Sequence, residues 1–141
     1  MTRNERDESS RPLVGTQLVS AERLDHSWLL RFGTDITLTT EVLWRLIDDG
    51  RIVVTSEDHG HQFGLPEPVD ATARLLSSLR GRSVTAASIV PSSGDLAIDF
   101  GERTQLQFLQ TSCGYESWRL SVRGSETICT GGGEIEYARR R

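Results

Sequence analysis

The chain has 141 residues, of which 36% are hydrophobic and 26% charged, and its formal net charge at pH 7 is −4. That length suits one domain able to bury a core without disulfides or metals, and no apolar run approaches the roughly 18–20 residues of a membrane span. Sixteen basic against twenty acidic residues lack the excess that nucleic-acid binding requires, and all sixteen are arginine. Without a lysine amine the chain cannot build a Walker-type phosphate loop, a Schiff-base enzyme or a pyridoxal enzyme, and arginine, which stays protonated, is no substitute.

In chain order, residues 1–11 are almost entirely polar and carry no signal-peptide core, so an unstructured lead-in and a cytoplasmic location are expected. The two cysteines, Cys113 and Cys129, then read as free thiols. A single β-rich domain is expected over residues 12–138, with the first strands at Gln17 to Leu24, Ser27 to Phe32, Asp35 to Thr39, Glu41 to Ile47 and Arg51 to Thr55. Val42, Leu43, Leu46 and Ile47 also fit helical spacing, but the counterpart of this segment at Trp118 alternates, which favours a strand. His59 to Pro66 reads as a surface loop. A helix is predicted over residues 68–80, where Asp70 follows Pro68, apolar positions recur at Leu75, Leu76 and Leu79, and Gly81 ends the run. Beyond it, Leu96, Ile98 and Phe100, then Leu106 and Phe108, alternate with polar residues, and a last strand covers Ile135 to Ala138. The three terminal arginines read as a frayed end.

These elements repeat. Leu13-Val14-Gly15 returns as Leu79-Arg80-Gly81, Phe32-Gly33 as Phe100-Gly101, and Trp44-Arg45-Leu46 with Gly50 as Trp118-Arg119-Leu120 with Gly124. Two halves, residues 13–65 and 79–138, are each too small to bury a sheet alone. They are expected to pack face to face or to share one sheet about a pseudo-twofold, joined by the short helix. The fold class is mainly β, an α+β arrangement of internally duplicated antiparallel meanders.

Chemistry-bearing groups are sparse. His59 and His61 would share a side of an extended segment near Glu57 and Asp58, but two ligands do not make a zinc site, so no metal or other cofactor is expected. No Gly-x-Ser-x-Gly elbow presents a nucleophile, and no residue pattern around Cys113 marks it as an activated thiol. Gly131-Gly132-Gly133 precedes a strand containing Glu134 and Glu136 rather than a helix, which suits a bulge or close backbone crossing better than a phosphate cradle. Tyr115-Glu116-Ser117-Trp118 is the most distinctive segment, offering either an interaction surface or a buried Trp118.

Those residues carry a resemblance. Tyr115-Glu116-Ser117-Trp118 and Gly132-Gly133-Glu134, with the paired Leu-x-Gly and Phe-Gly signals, resemble a family of small uncharacterised bacterial β-rich proteins, a domain of unknown function. The family's usual proline before the two glycines stands here as Gly131. The chain also resembles, loosely, short immunity proteins that neutralise toxins. No individual binding residue carries over from that resemblance. The absence of catalytic equipment, together with the acidic and aromatic cluster Tyr115, Glu116, Trp118 and Glu134, leads to the expectation of a non-catalytic domain of the immunity type that binds a protein partner through those residues. The charge balance and hydropathy leave neither nucleic acid nor membrane as the expected partner. A small metal- or thiol-dependent enzyme or ligand sensor using His59, His61 and Cys113 is the alternative. A structural subunit that self-associates through strand edges, as a homodimer, is a third.

Overall fold

A computed structural model describes residues 8–139. Eleven strands are present among them: β1 (Leu18–Arg23), β2 (Trp28–Phe32), β3 (Ile36–Thr40), β4 (Trp44–Asp48), β5 (Arg51–Thr55), β6 (Ala86–Ile89), β7 (Leu96–Asp99), β8 (Thr104–Phe108), β9 (Trp118–Val122), β10 (Ser125–Cys129) and β11 (Ile135–Arg139). Helix α1 (Ala71–Leu79) separates β5 from β6. Period-two alternation sends Ile36, Leu38 and Thr40 of β3, and Thr104, Leu106 and Phe108 of β8, into the interior. Asp49-Gly50 and Arg123-Gly124 form two-residue hairpin loops with positive φ at both positions, the pattern whose twist matches that of the flanking strands.

Helix α1 starts at Ala71, three residues later than the spacing predicts. The N–H and C=O of Val69 are taken by His61 and Gly60, and the Asp70 carboxylate caps the helix by accepting the Ala73 N–H at 3.0 Å. The buried residues Ala71, Leu75 and Leu79 fall one turn apart, and α1 packs mainly on β1 and also on β5. No helix among the described residues is long and apolar enough to cross a membrane.

The expected unstructured lead-in is partly part of the fold. Residues 8–10 are helical and run into a 3-10 turn at Arg11–Leu13, where Leu13 is fully buried. Ser10 is also buried, and its hydroxyl donates to the Ala87 carbonyl of β6. Leu13 is the counterpart of Leu79, so both halves begin with a helical turn anchored by a buried leucine. Residues 1–7, Arg140 and Arg141 lie outside the described residues.

The halves neither pack face to face nor share a single sheet; they interleave in two. One sheet has the order β1-β2-β3-β9-β10-β11 and the other β5-β4-β8-β7-β6. The first half therefore contributes the three-stranded meander β1–β3 to one sheet and the hairpin β4–β5 to the other, and the second half contributes β6–β8 to the second sheet and β9–β11 to the first. Leu38 opposes Leu120 where β3 meets β9, and Leu106 opposes Leu46 where β8 meets β4. These are repeat-equivalent pairs, so the two exchange seams are the same interaction made twice. An isolated bridge between Gln17 and Ser83, themselves equivalent positions, ties the starts of the two halves together and marks the pseudo-twofold. All buried apolar side chains belong to one cluster, with Trp44, Trp118, Phe32 and Phe108 its largest fully buried members.

Equivalent positions on the seams should respond alike. Leu38→Ala and Leu106→Ala, both at fully buried sites, should each lower the urea unfolding free energy by about 2–5 kcal/mol. A loss below about 1 kcal/mol at either position would show that its seam does not carry the core.

Candidate functional site

Three connections converge at one end of the molecule: the β6–β7 turn, the β8–β9 crossover and the β10–β11 loop. Their backbones touch, and glycine is what permits it. A side chain on Gly133 would collide with the Ser93 carbonyl, one on Gly131 would lie 2.6 Å from the Gly114 Cα, and one on Gly94 would lie 2.7 Å from the Cys129 Sγ. Gly132 and Gly133 also hold φ near +79° and +87°, which L side chains rarely adopt. The glycine run is thus a close backbone crossing.

Gln110 is the polar hub of this junction. Its N–H donates to the Asp95 carboxylate at 2.8 Å, its side-chain amide donates to the Thr130 carbonyl at 2.7 Å, and its Oε1 accepts the Ser112 N–H at 2.9 Å. One residue, through its backbone N–H and its side chain, thereby ties all three connections together. Ser112 extends the lattice by accepting the N–H groups of Gly114 and Tyr115 at its hydroxyl, 3.0 and 2.9 Å away. Trp118 closes it from beneath, buried to 1% exposure, with its indole N–H donating to the Gly94 carbonyl at 2.9 Å.

Of the four residues expected to bind a partner, Tyr115 is 79% exposed, and Glu116 and Glu134 are at the surface. Trp118 is not: it anchors the loops and presents nothing outward, because its place in the alternation of β9 faces the core. Glu116 pairs with Arg119 at 3.0 Å, and Arg119 also reaches Glu126 at 3.2 Å. The bond to Glu116 leads in raising the Arg119 pKa above its ordinary value. Glu134 is held in the β10–β11 loop through its backbone, its carbonyl accepting the Thr130 N–H.

The histidines do not lie on an extended segment. A 3-10 turn at Ser56–Asp58 precedes them, and their rings have separate duties. His59 accepts the Ala71 N–H at Nδ1 and meets Trp28 edge-on, while His61 stacks on Phe63. Both line a polar depression of about 210 Å³ with Arg23, Glu41 and Glu57. Among the described residues no group of three His, Cys, Asp or Glu side chains is arranged to hold a metal ion. Cys113 is exposed and Cys129 is buried, and the two are not joined to each other by a disulfide.

Sequence reasoning missed Gln110 and Ser112. Neither belongs to a motif, and their importance comes from loops that meet only after folding. It also could not separate the two repeat tryptophans. Trp118 donates to Gly94, whereas the buried indole N–H of Trp44 finds no acceptor among the described residues. Trp118→Phe should therefore cost more than Trp44→Phe, by about 1–3 kcal/mol in urea titrations, because only the first strands a buried carbonyl. Equal losses would contradict a structural role for the Gly94 bond.

Comparison with curated proteins and with solved structures yields no match. Comparison with known families matches residues 10–139 to DUF6188, described as a family of unknown function. That match spans nearly the whole chain, and the protein therefore belongs to DUF6188.

Proposed function

We propose that the chain is a non-catalytic protein-binding domain, of the immunity type that occupies a toxin, and that it makes contact through Tyr115 with Glu116 and Glu134 beside it. The observation that carries this reading is the contrast within one residue. The Tyr115 ring is 79% exposed while its backbone is bonded to Ser112 and sits among glycine-packed loops. Folding gains little from a ring left in water. A partner gains a large amphipathic surface on a backbone that is already ordered, so little further entropy is lost on binding. The exposed Glu116–Arg119 pair adds rim charge, which acts on encounter rate and partner choice more than on affinity.

The full-length tagged chain, recovered from its native host under mild salt, should bring down a stoichiometric protein. Tyr115→Ala should leave stability within about 0.5 kcal/mol, as expected for a surface change. It should weaken that complex by about 2 kcal/mol, roughly thirty-fold. Recovery of no stoichiometric protein, or an undiminished affinity in the variant, would overturn the reading.

A further inference from the structure

The loop joining β5 to α1 is clasped at its base and strained at its tip. The Gly60 N–H donates to the Val69 carbonyl at 2.9 Å, and the Val69 N–H returns to the His61 carbonyl at 2.7 Å. Below the clasp, His59 holds the loop to the helix start and to Trp28. Above it the Gln62 side-chain amide donates to the Leu65 carbonyl at 2.8 Å, and the Leu65 N–H donates to the Gln62 carbonyl. The two central residues of that turn, Phe63 and Gly64, have φ of +49° and +75°. Glycine suits such a position, and asparagine tolerates it; a bulky aromatic residue is an outlier there.

Phe63 bears this strain without reward from the core. Its ring is 67% exposed, touches the His61 imidazole at a centroid distance of 5.6 Å, and has Leu65, 42% exposed, close by in the turn. The chain around it is predominantly acidic, with Arg23 the one arginine, among the described residues, in the neighbouring depression that His61 lines with Glu41 and Glu57. Between Arg51 and Arg74 the chain carries Glu57, Asp58, Glu67 and Asp70 and no arginine. None of the four carboxylates is in an ion pair among the described residues. An acidic segment that carries an apolar tip opposes an anionic lipid surface or a nucleic-acid backbone and complements a cationic protein surface.

We propose that the Phe63 turn is a second docking element, a preformed knob that enters an apolar pocket rimmed by arginine or lysine on a partner protein. It shares with the Tyr115 surface the class of partner and none of its residues.

Two measurements on the full chain test it. Phe63→Gly and Phe63→Asn should hold or raise the melting temperature, since both replacements relieve the backbone; a fall of several degrees would make the ring structural and overturn the proposal. Separately, p-benzoylphenylalanine placed at position 63 and irradiated in the native host should crosslink to a protein, whereas the same probe at exposed Ser77 should not. The crosslinked protein, once purified, should bind Phe63→Gly at least ten-fold more weakly than the wild type. It should also bind the Glu57→Gln/Glu67→Gln variant more weakly, with a reduced salt dependence. Crosslinking only to a second copy of the chain, or none, would overturn the proposal. So would Phe63-dependent flotation with 70:30 phosphatidylcholine–phosphatidylglycerol vesicles. Affinity lost in Tyr115→Ala but kept in Phe63→Gly would overturn it while leaving the earlier reading standing.

Discussion

Everything else in this fold depends on the two exchange seams, where β3 pairs with β9 and β4 with β8. Each seam joins strands from different halves through five directly opposed residue pairs, with leucine facing leucine at the centre. Alone, the first half would keep a three-stranded meander and a separate hairpin, and the second two separate three-stranded pieces, with the inner faces of all of them in water. Exchange joins β1–β3 to β9–β11 and β6–β8 to β4–β5, so neither sheet is complete without both halves. One buried cluster follows, and with it a cost of about 2–5 kcal/mol for any large truncation inside it.

The duplication is strict in the seams and relaxed at the ends, and the differences lie where function is proposed. Trp44 and Trp118 begin equivalent strands with the same burial pattern. Yet the short link from β3 to β4 became, between β8 and β9, a longer crossover that packs on glycine backbones and lifts Tyr115 into solvent. In the first half the link after β5 became the clasped loop that carries Phe63. The shared scaffold supplies rigidity, and the unshared connections supply exposed aromatic rings.

The fold was largely legible because its signals are local. Alternation located every strand of the first half to within three residues, Asp49-Gly50 marked its hairpin, and the paired Gly15 and Gly81 exposed the repeat. The interleaving was not legible, since a meander followed by a hairpin reads the same whether the hairpin stays or crosses. Residues 8–11 were misjudged because a short polar stretch hides one anchoring contact, that of Ser10 with Ala87. At the site, Tyr115 and Glu116 stood out by composition, but alternation alone left Trp118 open between surface and core. Gln110 acts only through tertiary neighbours, and the strain at Phe63 is a backbone angle that no residue type announces.

The most direct test of the interleaved core is native-state hydrogen exchange followed along a urea series. If neither half has a core of its own, the slowest amides of β2, β3 and β4 and those of β7, β8 and β9 should converge on one opening free energy with one urea dependence. Two separate isotherms, with residues 18–55 opening well below residues 86–129 or the reverse, would contradict the account.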